Sequence, residues 1–393
     1  MAFPAPPRPV SVLGRHRILS PTAGVRVSPL CLGAMNFGDA WKDILGECNK
    51  ETSFALLDYF YSQGGNFIDT SVNYQSGESE QWLGEWMETR GKRDEIVLAT
   101  KFTGSQTMES WDKKIQSNFG GNSAKNIYTS VERSLKSLRT SYIDLYYVHL
   151  WDYTTSIPEM MHALNDLCTA RKVLYLGISD TPAWIVVKAN CYARQHGLRT
   201  FTVYQGRWSA SCRDFERDII PMCLDEGMAL APWGVLGNGG FKSKDEDPGR
   251  PAKFHLTGKE DRVREVLESI AKPKGTTAAS VALAYVMHKT PYVFPIVGGR
   301  KIEHLKGNIE ALALRLSQED MDKIDGAYEF DIGFPHNLLG GGNRMVAGPE
   351  DAAMLRRFGY FDFVVKAQPI APHTGPLDKT FAPEPIGMIK AKD

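Results

Sequence analysis

Short runs of apolar and β-branched residues recur along the chain. Each is followed by a segment whose apolar positions return every three or four residues. The runs lie at 29–35 (PLCLGAM), 66–71 (NFIDTS), 96–101 (IVLATK), 143–150 (IDLYYVHL), 174–179 (LYLGIS), 201–206 (FTVYQG), 228–236 (MALAPWGVL) and 292–298 (YVFPIVG). Most are continuously apolar rather than alternating, as expected of parallel strands covered on both faces. Between them, Ile127, Val131, Leu135 and Leu138 follow helical spacing, as do Met160, Ala163, Leu164 and Leu167. Residues 78–90 carry Trp82, Leu83, Trp86 and Met87 on one stripe and stop at Gly91, a natural left-handed cap. Gly64 and Gly65 likewise end a helix that starts near Glu51. Eight strand-then-helix units predict an α/β fold, a closed (β/α)8 TIM barrel. Two smaller α/β domains would give the same runs, but no Pro/Gly/Ser linker divides the chain. No G-x-G-x-x-G follows the first strand, so a Rossmann cofactor site has no support.

Two segments break the repeat. Residues 237–260 form a long Gly-, Pro- and Lys-rich loop after the seventh strand, a length usual for functional lids or for disordered segments. Residues 331–393 follow the last barrel helix and carry Gly340, Gly341 and Gly342, then LRRFGYFDFVV. The expected organisation is a flexible N-terminal segment at 1–14, where prolines dominate, a barrel at 15–330, and an extension at 331–393 packing on or near the barrel mouth.

Composition narrows the function. Among 393 residues, 46 basic and 46 acidic side chains cancel, which argues against nucleic acid or an anionic membrane as partner. No apolar run is long enough to span a bilayer, and MAFPAPPRPV lacks the core of an export signal. Six scattered cysteines, with no CxxC and no metal spacing, read as reduced thiols of a cytoplasmic protein that binds no metal.

In such a barrel the active site forms at the C-terminal strand ends. The second strand ends in Asp69, with Tyr74 in the loop beyond, the third in Lys101 and the fourth at His149. Singly, each has a bland reading: a helix-capping Asp, a snorkelling Lys, a structural His. Together they make a proton-transfer device. A phenol of pKa about 10 is a poor acid at neutral pH. A buried ammonium beside it favours phenolate, so Lys101 is expected to lower the pKa of Tyr74, with Asp69 holding that ammonium charged and aimed. A neutral imidazole at His149 can donate to a substrate oxygen.

With these residues the chain resembles the aldo-keto reductases over nearly its whole length. The resemblance rests on NFIDTSVNY at 66–74, LATK at 98–101 and YYVHL at 146–150. That family's catalytic tetrad falls on Asp69, Tyr74, Lys101 and His149. The wider wording, including GISDTPAW, VYQGRWS and PIVGGRKIEHLKGNIEAL, looks most like the fungal aryl-alcohol dehydrogenases and the norsolorinic-acid-reductase-like enzymes of aromatic polyketide pathways. The resemblance implies an NADP(H)-dependent oxidoreductase of secondary metabolism that reduces aromatic aldehydes or ketones, or oxidises the alcohols. Its cofactor would lie across the barrel mouth. Asp69, Ser179, Asp180 and Gln205 match the nicotinamide-holding positions, although most of the family has Ser-Asn where this chain has Ser179-Asp180. Trp233 matches the aromatic that stacks on the nicotinamide, and Gly234, Leu236 and Gly237 open the loop expected to clasp the pyrophosphate, with Lys242 and Lys244 as helpers.

Gly298 and Gly299 allow close backbone approach at a helix start that attracts phosphate. Arg300, Lys301, His304 and Lys306 add cations there, which favours a 2′-phosphate, and Asn308 can bond the adenine. Trp41, Trp111, Trp151, Trp208 and Trp233 fall at or beyond strand C-termini, and Trp41, Trp151 and Trp208, with Tyr74 and His149, are expected to contact a flat aromatic substrate. Potassium-channel β subunits also resemble this family and keep the tetrad, so a regulatory cofactor-binding protein is one alternative and a general aldehyde-detoxifying reductase another. The natural substrate, the favoured direction and homo-oligomerisation are left open by the sequence.

Overall fold

Alternation along each strand decides which side chains enter the barrel, and it brings the polar residues to one rim. The computed structural model describes residues 6–105, 115–241, 258–364 and 366–379. A β-hairpin opens the chain, β1 (Arg17–Ser20) and β2 (Ala23–Val27). Eight parallel strands follow in sequential order: β3 (Cys31–Gly33), β4 (Phe67–Asp69), β5 (Val97–Phe102), β6 (Ile143–Val148), β7 (Val173–Ser179), β8 (Phe201–Arg207), β9 (Ala229–Trp233) and β10 (Ile296–Val297). β10 pairs back onto β3. The amide of Leu230 donates to Tyr292 O at 2.9 Å and that of Phe294 to Leu230 O at 2.8 Å, which closes the ring. All eight expected strands are present, and every residue of β5 and β6 is buried, as two covered faces require.

The helices are α1 (Lys42–Leu45), α2 (Lys50–Ser62), α3 (Glu78–Arg90), α4 (Ala124–Ser137), α5 (Ile157–Thr169), α6 (Ala183–Gln195), α7 (Ile219–Glu226), α8 (Lys259–Ala271), α9 (Ala278–Lys289), α10 (Ile302–Glu310), α11 (Gln318–Asp325) and α12 (His336–Gly340). Side-chain oxygens of Asn49, Ser123, Ser156, Thr277 and Ser317 cap α2, α4, α5, α9 and α11, each satisfying an otherwise orphaned amide. Gly91 ends α3 in the left-handed region, as its sequence predicts.

Outward residues Leu98, Phe102, Tyr146 and Val148 join the helices in the main core. Inward residues form a separate interior core: Phe67 on β4, Val97 and Ala99 on β5, Leu145 and Tyr147 on β6, Val203 on β8 and Ala229 on β9. Leu19, Ala23 and Val27 of the hairpin plug it from below. The next inward positions are Asp69, Lys101, His149 and Gln205. Apolar packing fills the lower barrel and leaves the polar groups on the upper rim.

The hairpin has no counterpart in the strand pattern read from the sequence. Before it, Leu13 is fully buried, Ser11 Oγ donates to Gln63 O at 2.8 Å, and Gly14 packs against Gly64. The extension runs along the barrel. It starts beside the β8–α7 loop, where Arg217 donates to Asp331 O, and then reaches the opposite end, where Arg15 Nη1 donates to Leu377 O at 2.8 Å.

One core residue makes stability depend on pH. Glu80 on α3 is fully buried, accepts from Thr100 Oγ1 at 2.7 Å, and is pushed up by burial to about 7. A carboxyl raised on folding keeps a proton that the unfolded chain has released. Stability therefore falls as pH rises from about 4.5 to about 7 and is level above. Glu80→Gln keeps the acceptor and removes the charge. It is expected to gain about 2 kcal/mol in urea unfolding at alkaline pH and almost nothing in acid. Equal effects at both would mean that Glu80 stays ionised in the folded protein.

Candidate active site

Lys101 is fully buried at the inward end of β5. Its Nζ donates to Asp69 Oδ1 at 2.5 Å, to Thr70 O at 2.7 Å and to Tyr74 Oη at 3.3 Å. Gln205 Nε2 donates to the other carboxylate oxygen of Asp69 at 2.9 Å. Each polar atom of this buried pair is thereby met, which is what makes a charge tolerable in such a place. Burial pulls the Lys101 ammonium down, but Asp69 and Tyr74 outweigh it and hold its pKa above the usual lysine value. At Tyr74 the pull of Lys101 and the effect of burial oppose each other. Burial raises its pKa more than Lys101 lowers it, so the group is a neutral phenol at physiological pH.

His149 stands edge-on to Tyr74, with ring centroids 5.8 Å apart. Burial, and then the charge of Lys101, pull its pKa down to about 3, so the imidazole is neutral. Its Nδ1 lies 3.3 Å from Ser71 Oγ, which also lies 2.8 Å from Asn73 Oδ1. A hydroxyl has one proton to give, so Ser71 is coupled to the tautomer of His149. Sequence reasoning missed Ser71. Nothing in a linear DTS run signals a contact with a residue 78 positions away.

On the neighbouring strands, Ser179 Oγ is buried without a well-formed hydrogen bond. Asp180 lies beside the Ser179 hydroxyl and the Trp233 indole, and burial pushes its carboxyl up to about 6. Its amide donates to Gln205 O at 3.0 Å. Beyond β9, Gly234 and Gly237 take φ of +72° and +66°, where glycine is favoured, and Leu236 is half-buried between them. Asn238 contacts the Gly234 turn.

At α10 no side chain caps the helix start. Gly298 is exposed, and a Cβ there would meet only Gly33 O. A shallow indentation open to solvent is lined by Gly298, Gly299, Leu305 and Asn308, among others. Lys301, His304 and Lys306 are exposed, and the Arg300 guanidinium lies over Gly46 of the loop after β3. The structure thus brings the basic residues and the uncapped amides together.

Of the tryptophans, Trp41 meets Tyr74 edge-on at 6.4 Å and Trp233 is half-buried by Asp180. Trp151 packs on Tyr153. Trp208 is fully buried and stacked on Phe215, so it belongs to the core and presents no surface to the mouth. Trp111, Lys242 and Lys244 lie outside the described residues.

A barrel with this rim defines a class. The aldo/keto reductase family model matches residues 29–329, and the chain belongs to that family. It is 56% identical over 380 residues to an aryl-alcohol dehydrogenase of Pestalotiopsis microspora, covering 96% of this chain and 98% of that one. It is 58% identical over 340 residues to norsolorinic acid reductase A of Aspergillus parasiticus, covering 86% and 87%. An aldo-keto reductase of Emericella nidulans is 48% identical over 351 residues, covering 86% and 87%. The protein is an oxidoreductase of a family that uses NAD(P)H. The residues present fit such a cofactor, since the Ser179 hydroxyl beside Asp180 and the uncapped start of α10 offer donors for an amide and a phosphate. No helix among the described residues is long and apolar enough to cross a membrane.

Proposed function

We propose that the protein is an NADPH-dependent reductase of aromatic aldehydes or ketones, reversible as an aryl-alcohol dehydrogenase, and that Asp69, Tyr74, Lys101 and His149 carry the chemistry. The observation that carries this reading is the contact of a neutral Tyr74 phenol with a Lys101 ammonium held by Asp69. When bound, NADPH supplies the hydride. Ser179, Asp180, Gln205 and Trp233 would hold its nicotinamide end, Gly234, Leu236 and Gly237 its pyrophosphate, and Gly298, Gly299, Arg300, Lys301, His304 and Asn308 its adenosine end. Tyr74 gives its phenolic proton to the substrate oxygen, and Lys101 stabilises the phenolate left behind. His149, neutral throughout the working range, hydrogen-bonds the same oxygen and fixes which face of the carbonyl is presented. Ser71 holds the imidazole in place.

An aromatic substrate is favoured by Trp41 at the edge of Tyr74 and by Trp233 nearby, and by the names of the relatives. Trp151 is proposed to flank the same opening. All six cysteines are free, in keeping with a cytoplasmic site of action. The reading is tested by following NADPH oxidation against benzaldehydes, short aliphatic aldehydes and anthraquinone-type ketones. Preference for the aromatic set supports it, and equal use of short aliphatic aldehydes would favour a general aldehyde scavenger.

The choice of NADPH rests on Arg300 and its neighbours. A charge-assisted contact to a 2′-phosphate is worth about 1.5–3 kcal/mol, and NADH has no such group. Arg300→Ala should weaken NADPH roughly tenfold to a hundredfold and leave NADH nearly unchanged, read by quenching of protein fluorescence. Equal weakening of both would move Arg300 to the shared part of the cofactor or to the loop around Gly46.

A further inference from the structure

The barrel carries a second cleft at the end opposite the tetrad. It is an open cleft, roughly 460 Å³ counted out to bulk solvent, between the N-terminal hairpin, the turn from α9 to β10, and the extension. Met287, Tyr292, Phe294 and Ile370 give it apolar walls, and Arg17 and Thr290 supply polar groups. Arg17 alternates with exposed Ile18 along β1 and lies on the side of Leu19, which plugs the barrel, so its side chain turns inward.

Two of these groups have no partner among the described residues. The Arg17 guanidinium has no hydrogen bond or ion pair with any described residue. Arg17 is half-buried, and burial pulls its guanidinium below the usual arginine value to about 10, with no carboxylate among the described residues to offset it. Thr290, 3% exposed, keeps Oγ1 buried with no hydrogen bond. His288, on the last turn of α9, is held below its usual pKa by burial and then by Arg315 and Arg17. A half-buried cation and a buried hydroxyl on one apolar cleft both gain from an acceptor placed between them.

We propose that this cleft binds a small organic monocarboxylate, its carboxylate on Arg17 and the Thr290 hydroxyl and its hydrocarbon body on Met287, Phe294 and Ile370. A guanidinium matches a carboxylate with two parallel hydrogen bonds, and a hydroxyl can add a third. The walls favour an aliphatic or aromatic body over a bare inorganic anion, which would leave them wet. Because the cleft and the tetrad lie at opposite ends of the strands, such a ligand does not compete with the substrate. The inference stands independently of the reaction assigned to the mouth.

The test is calorimetric titration of the full chain with octanoate, octanamide and inorganic phosphate, with and without saturating NADPH. Octanoate should bind one site with the same affinity whether or not NADPH is present, and octanamide and phosphate should bind at least about tenfold more weakly. Arg17→Met should weaken octanoate about tenfold to a hundredfold while carbonyl turnover and NADPH affinity stay at wild-type values. Should Arg17→Met fold poorly, Thr290→Val is the second variant, and protection of the Tyr292 and Phe294 amides from hydrogen exchange by octanoate in the unaltered protein is the second measurement. Absence of saturable octanoate binding, unchanged affinity in both variants, displacement by NADPH, or equal binding of phosphate would each overturn the proposal.

Discussion

Tyr74→Phe is expected to cut carbonyl reduction by about a hundredfold or more while leaving NADPH affinity near that of the wild type. The phenol is the neutral acid of the site, because burial holds its pKa above 10 against the pull of Lys101. Loss of a general acid commonly costs a factor of ~10²–10⁴. The Phe ring keeps the edge contacts with Trp41 and His149, so the site should hold its shape. Only the proton is removed. Steady-state turnover with an aromatic aldehyde, beside a cofactor titration, separates the two effects. Turnover within a few-fold of wild type would mean that another group delivers the proton.

Lys101→Met should be nearly as damaging, for a different reason. The ammonium is the neighbour that most strongly favours the Tyr74 phenolate, and that phenolate forms whenever the proton is given away. Without it the phenol is a weaker acid, and the buried Asp69 carboxyl loses its ammonium partner and keeps the hydrogen bond from Gln205. Turnover should fall about a hundredfold. Unfolding stability should drop by about 3 kcal/mol, because one half of a buried pair is stranded. The diagnostic readout is ultraviolet titration of the phenolate, differenced against Tyr74→Phe. The midpoint for Tyr74 should move to higher pH in Lys101→Met. A lower turnover with an unmoved midpoint would reduce Lys101 to a scaffold for Asp69.

Much of this site is legible in the sequence because strands alternate. Val97, Ala99 and Lys101 share one side of β5, and Phe67 and Asp69 one side of β4, so a polar residue closing an inward row must face the rim. What escaped depends on contacts between distant segments. The hairpin of β1 and β2 is recognisable only by what Leu19, Ala23 and Val27 plug. Leu13 is ordered by a close approach of Gly14 to Gly64, which a proline-rich composition conceals. Trp208 follows a strand end just as Trp233 does, yet it turns into the helical layer and stacks on Phe215. The direction of the Tyr74 shift needed the depth of burial as well as the identity of its neighbour. Local pattern carries facing; it does not carry depth.

The most direct test of the central reading is a stoichiometric one. Purified protein, NADPH and a methoxybenzaldehyde are mixed, and NADPH loss is followed together with formation of the benzyl alcohol. The account predicts one alcohol per NADPH consumed over many turnovers, with the activity abolished by Tyr74→Phe. Tight NADPH binding without multiple turnover on any aromatic carbonyl would contradict it and point instead to a cofactor-sensing role.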